Sequence, residues 1–158
     1  MESETMTHFD QRVKELGIAL PEAQAAFGNY VPCRISRNQV FIAGQVSITA
    51  SERVTGKLGD GISVEDGYRG ARLCALNILA QLRTALNEDI DRARAVELVG
   101  FVNVAPDFTQ IPEVMNGASD LLFEVLGEER GSHARSSVGV SMLPAGGAVG
   151  VRSVFEVE

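Results

Sequence analysis

A chain of 158 residues, 45% hydrophobic and 22% charged, has the size and balance of one folded domain rather than of a disordered segment. Its formal charge of −7 and the lack of any Lys/Arg run argue against a nucleic-acid partner, since such binding is driven largely by neutralising phosphates. No apolar run approaches the roughly 18 residues that would suggest a membrane span, so no membrane partner is expected.

A domain of this length buries roughly 70% of the surface its unfolded chain exposes and folds without disulfides or metal. The two cysteines, Cys33 and Cys74, are far apart and form no disulfide framework; Cys74 falls in a helical apolar pattern and reads as a core residue. The opening MESETMTHFD is acidic and polar, unlike a signal peptide, and Met1 and Met6 are both eligible starts. Cysteine usage and this opening together give the expectation of a cytoplasmic protein.

In chain order, Phe9, Val13 and Leu16 share one stripe of a short helix over 8–16, with Thr7 as N-cap and Gly17 as stop. Pro21 to Phe27 reads as a loop. Tyr30–Ile35 and Gln39–Ile48 read as strands joined by a turn at Arg37-Asn38, followed by a short strand around Arg53 to Lys57. Ser63 with Asp66 three residues on has the capping-box spacing. Ala71, Ala75, Ile78, Leu82 and Leu86 then mark an amphipathic helix whose polar face carries Arg72, Gln81 and Arg83. Residues 94–105 form a strand apolar on both faces. Ile111, Met115, Ala118, Leu122 and Val125 place a second helix over 111–126, stopped by Gly127. The pattern ends as a hairpin, with strands over 134–143 and 148–157 about a turn through Pro144 to Gly147.

This order predicts an α+β fold, a sheet with two long helices on one face, as a single domain over 1–158. Two helices cannot cover both faces of a sheet whose central strand is apolar on both sides. The open face therefore predicts a homo-oligomer.

Familiar catalytic signatures are missing. Gly59-Asp60-Gly61 lacks the third glycine of a dinucleotide fingerprint, with Val64 in its place, and Gly56-Lys57 is followed by Leu58, which rules out a phosphate loop. His8 and His133 have no metal-ligand spacing, and no serine sits in a nucleophile elbow. No metal or cofactor is expected. His133 reads as a surface or loop residue. The informative segment is His133-Ala134-Arg135-Ser136-Ser137-Val138-Gly139-Val140. Strand alternation projects Arg135 and Ser137 from the same face, and a guanidinium fork matches a carboxylate bidentately. The plain alternative is a strand arginine in an exposed ion pair, worth at most about 1 kcal/mol.

The run Ala134-Arg135-Ser136-Ser137-Val138, with Val140 and Leu143-Pro144 behind it, resembles the C-terminal signature of the RidA/YjgF (L-PSP endoribonuclease) family. Gly28-Asn29-Tyr30, Ala43-Gly44-Gln45 and Asp107-Phe108 ahead of Asn116 match in family order, over residues 28–157. Residues 1–20, an N-terminal extension with a short helix, and the stretch around Leu20 to Pro32 resemble one YjgF-like subgroup.

The resemblance implies a chorismate-mutase-like fold, a homotrimer with ligand clefts between subunits, and a small carboxylate metabolite as partner, a 2-oxo or 2-imino acid. It implies hydrolysis of enamines and imines to 2-oxo acids and ammonia. Arg135 would clamp the carboxylate, helped by the backbone N–H of Gly44. Tyr30 would line the cleft, Ser137 stands where many relatives carry cysteine, and Asn116 matches a family asparagine, although the stretch to Arg135 is two residues longer. Two positions depart from the pattern. Ala43 replaces a frequent hydroxyl residue, and Gly150 stands where active deaminases carry a water-positioning glutamate. The catalytic residue is therefore unassigned. A non-catalytic binding or interaction module is the rival reading, and an endoribonuclease fits the acidic charge poorly.

Overall fold

The computed structural model describes residues 5–158; the choice of Met1 as start and the first residues of the 1–20 extension lie outside them. Helix α1 (His8–Glu15) begins where Thr7 accepts the Asp10 N–H, and Phe9 is buried in the core. Strands β1 (Cys33–Ser36) and β2 (Gln39–Val46) form a hairpin turned at Arg37, whose φ is 55°. The short strand expected near Arg53 to Lys57 is instead a set of isolated bridges, Ile48 with Arg53 and Thr55 with Gly147, followed by the two-residue β3 (Lys57–Leu58) and β4 (Gly61–Ile62).

Helix α2 (Val64–Ala85) starts at Ser63, whose hydroxyl accepts the Asp66 N–H, as the capping spacing predicts. Strand β5 (Ala93–Asn103), helix α3 (Ile111–Gly131), strand β6 (Ala134–Val140) and strand β7 (Val149–Val157) follow. Gly127, at φ 83°, breaks α3 where the sequence predicts its stop, and one further turn then leads to β6.

The sheet order is β1-β2-β7-β5-β6, which corrects the expected terminal hairpin. β6 runs parallel to β5 through the α3 crossover, and β7 lies between β2 and β5, antiparallel to both. The reason lies in β7 itself. Every residue from Val149 to Phe155 except Arg152 is buried, which a central strand achieves and an edge strand does not.

Both long helices pack on one sheet face, as predicted. Leu98 and Val102 of β5 and Val149, Val151 and Phe155 of β7 meet Cys74, Ile78, Leu82, Met115 and Leu122 in the same core cluster. Cys74 is fully buried, and desolvation pushes its thiol well above the ordinary value. Gln81 corrects the expected polar face of α2. It is 5% exposed, because the loop before β1 covers it and its amide donates to the Gln24 carbonyl at 2.7 Å.

The opposite face is uncovered by any helix among the described residues. Phe41 and Val138 are exposed there and Val99 and Phe101 half-buried, beside a loose Arg152–Glu97 pair at 3.9 Å. No helix among the described residues is long and apolar enough to cross a membrane.

The helix pair touches backbone to backbone. A Cβ added at Gly117 of α3 would lie 2.0 Å from the Tyr68 carbonyl oxygen of α2. Gly117→Ala should therefore force the helices apart and destabilise the fold by about 1–3 kcal/mol despite alanine's better helix propensity. Urea unfolding at matched protein concentration would show it as a lower midpoint with an unchanged slope.

Candidate functional site

The uncommon feature of Arg135 is its set of neighbours. Arg135 projects from β6 towards α3, on the helix-covered side of the sheet. Nη1 donates to Asn116 Oδ1 at 2.9 Å and to Ser119 Oγ at 3.0 Å, and Nη2 donates to the Pro112 carbonyl at 3.3 Å. Residues 112, 116 and 119 fall on one stripe of α3 at helical spacing, so a single helix edge grips one side of the guanidinium.

A guanidinium has five N–H donors in a planar fork. Three are engaged, and among the described residues Nε has no partner. The side formed by Nε and the second Nη2 proton remains for a bidentate acceptor. No carboxylate among the described residues pairs with Arg135, so the plain reading of an exposed ion pair does not hold. Asn116 and Arg135 are therefore brought together as expected, but the Asn116 carbonyl oxygen holds the arginine, leaving only its amide N–H groups for anything else. Ser137 lies half-buried two residues along β6 on the same face.

Sequence reasoning missed the rest of this cluster. Ser119 is 7% exposed, and its oxygen lies 2.8 Å from His133 Nε2. His133 Nδ1 lies 2.6 Å from the Gly131 carbonyl, an acceptor only, so Nδ1 carries the proton. In the neutral ring Nε2 then accepts the Ser119 hydroxyl. Phe123 flanks the imidazole, with ring centroids 5.6 Å apart. The i, i+3 spacing of Asn116 and Ser119 was the available signal.

Tyr30 and Gly44 lie elsewhere. Both line a small cavity of about 130 Å³ between the 24–32 segment and β2, with Gln24, Phe27, Gln45 and Pro144. The pairing of β2 with β7 is interrupted between Ile42 and Gln45, which sets the Ala43-Gly44 backbone out of the regular ladder. Desolvation raises the nearby Cys33 thiol above its ordinary value. β2 and β6 are three strand steps apart in the sheet, or roughly 14 Å, so one small carboxylate cannot touch Gly44 and Arg135 of the same chain. The five sequence-predicted residues thus form two groups, Tyr30 with Gly44 and Arg135 with Asn116 and Ser137.

Gly150 belongs with the first group. A Cβ there would point towards Leu143 at 3.5 Å and the Gln45 carbonyl at 3.9 Å, both ordinary contacts. Among the described residues no Asp or Glu lines the cavity. Among the described residues no group of three or more His, Cys, Asp or Glu side chains could hold a metal.

Comparison with known proteins agrees with the resemblance seen in the motifs. Residues 10–154 match the family described as "YjgF/chorismate_mutase-like, putative endoribonuclease". Protein TCP17 of Trypanosoma cruzi is 44% identical over 147 residues, covering 92% of this chain and 91% of that protein. Among solved structures, Atu1372 of Agrobacterium tumefaciens, a protein with unknown function, is 41% identical with a TM-score of 0.88, covering 96% of this chain and 93% of its own. A protein of Shewanella oneidensis, described as a putative endoribonuclease, is 34% identical with a TM-score of 0.89, covering 94% and 99%. More distant structures, including E. coli TdcF with bound serine at 22% identity and a TM-score of 0.59, share the fold over 87% of this chain and 94% of theirs. The α+β sheet with two helices on one face, the ordered motifs and the family match lead to one statement: the chain belongs to the YjgF/chorismate mutase-like family.

Proposed function

We propose that this protein binds a small carboxylate metabolite, a 2-oxo or 2-imino acid, in clefts between the subunits of a homotrimer. The observation that carries this reading is the half-engaged Arg135 fork, fixed on one side by α3 and open on the other, with no carboxylate among the described residues to neutralise it. An anionic ligand completes such a site with charge-assisted hydrogen bonds. The separation of the two residue groups supports an intersubunit cleft. If the Tyr30–Gly44 side of one chain meets the Arg135 side of the next, the carboxylate sits between the guanidinium and the Gly44 backbone, and Tyr30 closes over the apolar end. The uncovered sheet face, with Phe41, Phe101 and Val138, supplies apolar surface for the contact. Serine bound to TdcF supports a small amino-acid-like ligand by analogy of fold.

Light scattering after size exclusion should report about three times the 16.9 kDa chain mass. A stable monomer at micromolar concentration removes the intersubunit cleft.

Hydrolysis of an enamine such as 2-aminoacrylate adds water and releases pyruvate and ammonia, and it requires a group that positions the water and moves a proton. With Gly150 where the family's active deaminases hold glutamate and no Asp or Glu among the described residues along the Tyr30–Gly44 cavity, the reading favoured here is binding with slow turnover. The second reading, a purely non-catalytic binding module, rests on the same missing carboxylate. Ammonia release from freshly generated 2-aminoacrylate separates the two. Salt-dependent RNA binding measures the endoribonuclease reading, which the charge of −7 disfavours.

A further inference from the structure

We infer that Ser119 and His133 are positioning residues for Arg135, a half-buried relay that aims the open side of its fork at the ligand. The inference rests on Arg135 as the carboxylate anchor and concerns how its direction is set. Arg135 ends in a flexible side chain, and a free guanidinium would sample several rotamers, losing entropy when it binds. Here its Nη1 is held from two sides, by Asn116 at 2.9 Å and by Ser119 at 3.0 Å.

Ser119 can accept from Arg135 in only some orientations of its hydroxyl. A serine inside a helix ordinarily turns that hydrogen back to the carbonyl one turn earlier. Instead, Ser119 Oγ lies 2.8 Å from His133 Nε2. The Gly131 carbonyl, 2.6 Å from Nδ1, places a proton on Nδ1 and so, in the neutral ring, makes Nε2 the acceptor. The tautomer therefore fixes the hydroxyl, with its hydrogen on His133 and its lone pairs towards Arg135. Phe123 flanks the ring at a tilt of 35° and limits its rotation. The chain Gly131 carbonyl, His133, Ser119, Arg135 runs in one donor–acceptor sense and ends at the side of the fork opposite the free Nε. His133 touches neither half of the cleft; it acts through Ser119.

The test compares binding of pyruvate with binding of pyruvamide, its uncharged amide, by calorimetry on the intact protein. Arg135→Ala should abolish the preference for pyruvate. Ser119→Ala and His133→Leu should each cut that preference roughly two- to tenfold, the range of one neutral hydrogen bond, while leaving pyruvamide affinity unchanged. Ser119→Thr, which keeps the hydroxyl, and His133→Gln, whose carbonyl oxygen can accept the same proton, should retain most of it. These milder variants keep the test decisive if either larger change prevents folding. Wild-type preference in Ser119→Ala and His133→Leu, with the preference lost in Arg135→Ala, overturns the relay and leaves the anchor standing. Equal weakening of pyruvate and pyruvamide also overturns it, because that is the signature of general packing damage. A preference that survives Arg135→Ala removes the anchor itself, and the relay with it.

Discussion

Replacing Arg135 by alanine should weaken pyruvate binding by more than tenfold and leave the fold intact. The side chain lies at the edge of the sheet, half-buried, and its backbone remains paired with Leu98 of β5, so the structural cost of removal is small. The binding cost is larger. Hydrogen bonds to charged groups contribute roughly 1.5–3 kcal/mol, and Nε with Nη2 offers two of them to one carboxylate. Arg135→Lys should recover only part of the loss. An ammonium can reach the ligand as a point charge, but it cannot donate to Asn116, Ser119 and the Pro112 carbonyl while presenting a planar pair of N–H groups outward. Calorimetric titration against wild type gives the ratio directly. Equal affinities for wild type and Arg135→Ala would falsify the assignment of the anchor.

The second large effect concerns Gly150. Wild-type turnover of 2-aminoacrylate should be far below that of relatives carrying glutamate at this position, since general acid–base assistance is worth about 10²–10⁴-fold. Gly150→Glu should raise the rate. A Cβ at this position meets only ordinary contacts, the nearest being Leu143 at 3.5 Å, so the first carbon of the new side chain fits between the paired Val46 and Phe101. A rate gain with unchanged assembly mass supports the missing carboxylate as the cause. Brisk turnover by the wild type would show that another group positions the water, and the account of Gly150 would then be wrong.

Much of this architecture was legible in the sequence for identifiable reasons. Thr7, Ser63 and Gly127 act through backbone groups within one turn of themselves, so spacing alone located three helix ends. The apolar stripes of α2 and α3 showed which sides face the sheet. Strand order was not legible. Pro144 to Gly147 reads as a hairpin turn, but its flanking strands are separated by β5, and only the burial of β7 on both faces distinguishes the two arrangements. Gln81 was misread because the residues that cover it lie 57 positions away. At the site, the motif supplied Arg135 and Asn116. The i, i+3 spacing set Ser119 beside Asn116, but its contact with His133 depends on how α3 and β6 meet after the turn at Gly127 and could not be read from the motif.

The place of β7 also constrains how the chain acquires its shape. Val149–Val157 closes the gap between β2 and β5, so a strand within the last tenth of the sequence joins one partner that begins 110 positions earlier to another that begins 56 positions earlier. While a ribosome is still making the chain, those two strands have nothing between them, and each presents an unpaired edge that can pair with a neighbouring molecule. The core that α2 lays down cannot be sealed by local contacts, and assembly waits on distant ones, which slows folding. A premature stop codon between Val140 and Val149 therefore removes the centre of the sheet, leaving one chain with two open-edged strand pairs prone to aggregation in place of a shortened but working protein.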